Sequence, residues 1–480
     1  MSKANVLSRR QFLQFAGVGA SAAVLAACAP AQAPAATQAP AQATQAPAEA
    51  TQAPAATQAA EATKAPEAAQ PSAKKVKLTF WVEWQQPFYE EYLKSFNDEF
   101  ASDMELEFVV VEGLGGDSSG KFMAAVAGGN PPDSLLAWAD SLPGWAARKA
   151  LLPMDDYLAT FGFKKEEYAE ASIKASTWAG SLYGWPLDWD PDCMLYWNVD
   201  MLQGAGLEAP PKTLEELWDL RSKFDKKAAN GDIEQVTLVP WDGWYFNCFA
   251  LAHNFGSKLY DAATREITIN SDGMKQALQY EKMWADNYGY EKVSAFQSGI
   301  SAATQNSTFG AGKCALWMIG DWAMPGLAKN SPNLKYEIEQ LPVAQGKPYF
   351  HCGSGWPWML PKGVKDPKSA VLGISRLMTK ERVLTWCQAI GWQPAWLPPR
   401  DDPSWAKADA HWPKVFEIVK GREADTWLEP SPICTAFWNE VKNAENQVLT
   451  GQKGIDEALA TAQKNVEKAR DDAIKAGSFG

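Results

Sequence analysis

The chain has 480 residues, a formal net charge of −12 and 23 tryptophans. No basic stripe offsets the acidity, which argues against nucleic acid, anionic lipid or any broad anionic partner. The length exceeds what one hydrophobic core serves, so two lobes are expected.

The N-terminus reads as an export and anchoring signal. Lys3, Arg9 and Arg10 lead into an apolar run, Phe12 to Ala27, that is too short to span a bilayer stably and closes on Leu25-Ala26-Ala27-Cys28. Ser8-Arg9-Arg10-Gln11-Phe12-Leu13 is similar to a twin-arginine signal, which carries a protein across already folded. Residues 1–27 are therefore expected to be the signal, with Cys28 the first mature residue, lipidated on sulfur. Residues 28–75 follow as a tether of Ala, Pro, Gln, Thr and Glu, in which Pro34, Pro40, Pro47 and Pro54 interrupt any heptad. Such a coil is disordered and reaches roughly 40 Å. The expected location is extracytoplasmic, on the membrane surface.

From Val76 the composition changes abruptly, and strands begin to alternate with amphipathic helices. Val76 to Phe80 alternates as a half-buried strand, and Phe88, Tyr92, Leu93, Phe96 and Phe100 recur at helical spacing. Glu105 to Val111 predicts a second strand, Lys121 to Ala127 a short helix and Ser134 to Ala137 a third strand. This order predicts parallel βα units. Thr213-Leu214-Glu215-Glu216 is a capping box that opens a helix after Pro210-Pro211. Val236 to Val239 and Cys314 to Ile319 read as buried strands, and the chain ends in a helix with Ile455, Leu459, Ala462 and Val466 on one face. The fold class is α/β with repeated crossovers.

All the tryptophans lie after residue 80, and most are expected in cores. The others stand where strands give way to loops: Trp81 and Trp84, Trp138, Trp241 and Trp244, and Trp322. In open α/β sheets ligands bind beyond the carboxyl ends of strands. Flat apolar faces gathered there stack on sugar rings, and neighbouring carboxylates and amides accept hydroxyl hydrogen bonds. The same set would also hold a cation such as a polyamine.

The order of motifs from Val76 onward resembles the family 1 extracellular solute-binding proteins of sugar ABC importers, the maltose-binding group. The resemblance rests on Leu78-Thr79-Phe80-Trp81, Gly128-Gly129-Asn130-Pro131-Pro132-Asp133, Gly180 to Pro186, Leu195-Tyr196-Trp197-Asn198 and Pro211 to Leu217. Further on it takes in Phe309 to Ala315 with Gly320-Asp321-Trp322, then Ala436 to Glu440 and the terminal helices. It implies a two-lobed periplasmic-binding fold of type II, each lobe a mixed sheet flanked by helices and the two joined by a hinge. The N-terminal lobe would comprise 76–188 plus about 353–400, and the C-terminal lobe 189–352 plus about 401–480.

The same resemblance implies a ligand site of Glu83 and Trp84 in the first loop and Trp138 and Asp140 in the second. Trp241, Trp244, Tyr245, Trp322 and Trp438 would face them, with Trp356 and Trp392 in loops after a return crossing. It further implies hinge crossings near 188–194 and 349–355, where Cys193 and Cys352 fall; if those strands pair, a disulfide would brace the hinge. The chain departs from the maltose-binding pattern at Trp81-Val82-Glu83-Trp84 and in carrying Asp188, Asp190 and Asp192 by the first crossing, so maltose is not assumed as the ligand. Function, on this reading, is capture of a carbohydrate and delivery to the permease of an ABC importer by a monomer, with no reaction catalysed and no cofactor.

Other chemistries leave weaker marks. Gly115 to Lys121 spaces glycines and a lysine like a phosphate loop, but Phe122 stands where a magnesium-binding hydroxyl belongs. His253, His351 and His411 are too few and scattered for a metal centre or a catalytic triad. Cys193, Cys248, Cys314, Cys352, Cys387 and Cys434 match no zinc or iron–sulfur spacing, and their pairing is not legible. The rival function is a lipid-anchored glycoside hydrolase or lyase using paired carboxylates such as Asp188 and Asp190.

Overall fold

The computed structural model describes residues 75–479 apart from 117–118, 243–245, 301–306, 348–351 and 427. The signal, Cys28 and nearly all of the tether lie outside the described residues, as do Trp244, Tyr245, His351 and the side chains of Asp192 and Cys352. Among the described residues, no helix is long and apolar enough to cross a membrane.

Strand β1 (Val76–Val82) runs parallel to β2 (Met104–Val110) on one side and to β3 (Ser134–Leu136) on the other. Helix α1 (Tyr89–Glu99) makes the first crossover and buries Tyr89, Tyr92 and Phe96. Alternation along β1 splits its side chains between two cores. Leu78, Phe80 and Val82 join the large core, whereas Trp81 packs on a smaller one built from Phe122, Leu135, Trp145 and Met359. Trp81 is thus a sheet residue; the loop begins only after Val82.

After β4 (Gly184–Pro186) the chain crosses through two short strands, β5 (Asp188–Trp189) and β6 (Pro191–Asp192), into β7 (Met194–Asn198). Every residue of β7 is buried, because β8 (Leu316–Ile319) and β9 (Tyr336–Glu339) flank it, both antiparallel. The chain returns through β10 (Cys352–Gly353), which pairs with β6, and β11 (Pro357–Met359), which inserts between β3 and β4. A last short strand, β12 (Gln393–Pro394), pairs with β5. The first sheet therefore has the order β2-β1-β3-β11-β4 and the second β8-β7-β9. The paired crossings 188–194 and 352–353 lie between them.

One expectation needs correction. Parallel βα order holds for β1 to β3 as expected, and the named strands of the second sheet pair antiparallel. Val236 to Val239 is buried yet forms only a single bridge, Val236 to Cys314, because its backbone groups bond singly to neighbours such as Lys313 and Ala315. The expected N-cap is present: Thr213 Oγ1 accepts from the amide of Glu216 and donates to its carboxylate, opening the helix Leu214–Asp219. The chain closes with two helices, Cys434–Leu449 and Ile455–Lys475, the second burying Leu459, Ala462 and Val466.

Candidate functional site

The carboxyl ends of β1, β3 and β8 open on one cavity of about 910 Å³. Both sheets deliver a tryptophan in the same way, through a strand that turns tightly into a short helix. Trp138 stands two residues after β3 and precedes the turn Ala139–Ser141, while Trp322 lies within the turn Asp321–Ala323 that follows β8. Proline near the start of each following helix, Pro143 and Pro325, fixes φ where no amide is needed.

Among the described residues, six tryptophans line the cavity: Trp84, Trp138, Trp322, Trp356, Trp392 and Trp438. Five of them form two platforms. Trp356 and Trp392 lie parallel, 5° apart in tilt and 5.7 Å between centroids, with Trp84 edge-on to Trp356 at 4.1 Å. Trp138 and Trp438 lie 5.0 Å apart, and Phe249 backs Trp438 at 4.1 Å. Hydrogen bonds fix the orientation of the second pair. Trp438 donates through Nε1 to Asp140 Oδ2 at 2.7 Å, and Trp138 through Nε1 to Ser354 Oγ at 2.7 Å. Trp84, Trp138 and Trp322 keep part of their surface exposed and can stack on apolar ligand faces with little loss of side-chain entropy, whereas Trp356, Trp392 and Trp438 are largely buried.

Three carboxyls also line the cavity, Glu83, Asp140 and Asp190. Burial pushes Glu83 up to about 7, opposed by the amide of Gly115, which donates to its Oε2 at 3.0 Å. Asp140 keeps an edge on the cavity and is otherwise enclosed; burial pushes it to about 7 against the opposing bond from Trp438. Asp190 sits in the crossing between β5 and β6, and burial, then the neighbouring Asp321, hold its pKa well above the ordinary range. Near neutrality Glu83 and Asp140 both donate to and accept from hydroxyls.

The cavity thus unites Glu83, Trp84, Trp138, Asp140, Trp322, Trp356, Trp392 and Trp438 among the residues expected from sequence. Trp241 is not among the lining residues; its ring stacks on Tyr290 at 5.9 Å. Residues missed from sequence include Lys329, Asn330, Asn439 and Lys442, and Asp190, noted there only as part of an acidic insertion, lines the cavity as well. Asn439 and Lys442 share a helix with Trp438, a helical spacing that offered the signal. Gly115 and Gly116 form part of the wall, and a carboxylate, Glu83, already takes the Gly115 amide that a phosphate loop would offer. Asp188 is fully buried and accepts from the Trp356 amide at 2.8 Å, so it belongs to the hinge, away from the cavity wall.

The family described as bacterial extracellular solute-binding protein matches residues 91–414. The chain belongs to this family. A maltooligosaccharide ABC transporter solute-binding lipoprotein of Streptococcus pneumoniae R6 is 25% identical over 407 residues, which is 83% of this chain and 90% of the relative. The maltodextrin-binding protein MdxE of Bacillus subtilis is 25% identical over 318 residues, 65% of this chain and 71% of its own. Among solved structures, CpMnBP1 with mannotriose bound superposes with a TM-score of 0.73 at 27% identity, over 82% of this chain and 100% of the other. The maltotriose-bound domain MalE of Bdellovibrio bacteriovorus gives a TM-score of 0.68 at 20% identity, over 82% and 100%. This solute-binding protein accordingly has the two-lobed type II architecture of these structures, with its cavity where strands of both sheets end.

The raised carboxyls make stability depend on pH. Glu83 and Asp140 keep protons in the folded chain where the unfolded chain, with values near 4, has lost them. Their contribution is complete below about pH 4 and is lost as pH rises to about 7. Asp140→Asn keeps an acceptor for Trp438 without a charge. It is expected to raise Tm relative to the parent more at pH 7.5 than at pH 5, by scanning fluorimetry. Equal offsets at both pH values would remove Asp140 from the pH dependence.

Proposed function

We propose that this solute-binding protein captures a neutral oligosaccharide between its lobes and delivers it, unmodified, to the permease of an ABC importer. The observation that carries the reading is the cavity wall itself, two tryptophan platforms interleaved with carboxyls at the strand ends. Relatives named for maltooligosaccharide and maltodextrin binding, and a mannotriose-bound structure at 27% identity, support the ligand class. The lobes are taken as 76–188 plus about 353–400 and 189–352 plus about 401–480, in keeping with the two sheets and the paired crossings between them. Trp84 and Trp138 of one lobe and Trp322 and Trp438 of the other border the same cavity, so a sugar chain held there would touch both lobes and shift the population toward a closed form. Lipidation at Cys28 and the following tether would keep the trap near its transporter, as lipoprotein relatives suggest. The two platforms could each take one or more rings.

Titration calorimetry against mannotriose, maltotriose and their shorter and longer homologues tests this. One-to-one binding with intact sugar recovered is expected. Absence of heat with every neutral oligosaccharide, or recovery of cleaved sugar, would overturn the reading; binding of a polyamine in their place would leave the fold and remove the ligand class.

A further inference from the structure

Behind the Trp438 platform lies a cluster that sugar binding does not use. Helix α2 (Phe246–Asn254) contributes Cys248, α3 (Asp272–Tyr288) Glu281, and α4 (Cys434–Leu449) Glu445. The Cys248 sulfur and one oxygen of each carboxyl all lie within 4.8 Å of one another. Cys248 and Glu281 are 0% exposed and Glu445 is 7% exposed. Apart from the bond the two carboxyls can share, both oxygens of Glu281 and Oε1 of Glu445 have no hydrogen-bond partner. The two carboxyls face each other, with Lys442 the cation whose charge reaches Glu445. Two acids enclosed together must share either a proton or a cation.

We propose that Cys248, Glu281 and Glu445 form a structural site for a zinc-type divalent ion. A tetrahedral ion at about 2.3 Å from sulfur and about 2.1 Å from oxygen needs donors roughly 3.5 Å apart, a spacing that fits inside the observed cluster. The thiol decides the ion class. Calcium and magnesium seek shells of oxygen, whereas thiolate with carboxylate suits a borderline-soft ion. Met274, from the same helix as Glu281, brings its Sδ to 3.5 Å from the Cys248 sulfur and adds a second soft atom beside the site. Binding displaces the thiol proton and the proton shared by the acids, leaving three negative donors on a doubly charged ion with Lys442 nearby.

The ion would act as a clamp. Phe249, next to Cys248, backs Trp438, which stands two turns before Glu445 on α4. Holding the three helices together fixes that wall of the cavity. Because the cluster is enclosed, the ion enters as the chain folds.

The full chain, unfolded in chelator and refolded with Zn²⁺, tests the site. Elemental analysis after desalting is expected to find one zinc per chain, with a higher Tm than protein refolded in chelator. Co²⁺ in its place is expected to show thiolate-to-metal absorption in the near ultraviolet. Cys248→Ser should lose both the zinc and that absorption while keeping native tryptophan fluorescence; zinc retained at full stoichiometry in this variant overturns the assignment. Should the variant not fold, the parent alone decides: native fluorescence without stoichiometric zinc and without the cobalt band means a shared proton and no metal site.

Discussion

Replacing Trp322 by alanine is expected to weaken oligosaccharide binding by about 2 kcal/mol or more, roughly thirty-fold in Kd, with a small change in Tm. Its ring is only partly buried against the core and lines the cavity, so its loss removes ligand contact more than packing. Trp438→Ala should behave differently. That indole is 4% exposed, wedged between Trp138 and Phe249, and it satisfies Asp140. Its removal opens a core cavity at a cost of about 3–5 kcal/mol and strips a buried acid of its donor, so both Tm and affinity fall. Calorimetric binding and thermal unfolding measured on both variants separate the roles. Unchanged affinity in both would remove them from the site, and equal Tm losses would refute the distinction drawn from burial.

What could be read from the sequence follows from which signals are local. Alternation in Val76 to Phe80, then a tryptophan just past the strand, announced β1 and Trp84; the same pattern announced Trp138 and Trp322. Such signals depend on a few neighbouring residues. Trp241 shows the limit, since an indole in a loop reads alike whether it faces a ligand or, as here, stacks on Tyr290. Asp190 was visible as part of an acidic insertion, but its place on the cavity depends on β5 and β6 pairing with strands far along the chain. Cys248, Glu281 and Glu445 were silent for the same reason, because three separate helices bring them together. The antiparallel second sheet was hidden too; burial patterns give strands without their direction.

Gly355→Ala is expected to be among the most damaging single changes in the chain. The hinge segment Gly353-Ser354-Gly355-Trp356 runs so close to the outgoing crossing that a Cβ on Gly355 would stand 2.2 Å from the carbonyl oxygen of Asp188. Its φ of +143° is also one that side chains rarely adopt. The backbone cannot simply retreat. Gly355 accepts through its carbonyl from the Ala139 amide at 3.0 Å, Ser354 holds the Trp138 indole, and the Trp356 amide donates to Asp188. Movement here therefore shifts the turn carrying Trp138 and Asp140 together with Trp356, coupling hinge strain to the cavity. A destabilisation of about 3 kcal/mol or more is expected, from steric overlap added to backbone strain. Gly129→Ala is the control, because Gly129 has φ +69° and open space around its Cβ position, leaving strain alone at about 1 kcal/mol. Unfolding and sugar titration of the two variants should diverge, with only Gly355→Ala losing affinity. Similar losses of stability and unchanged binding in both would mean that the two crossings do not pack as closely as this hinge requires.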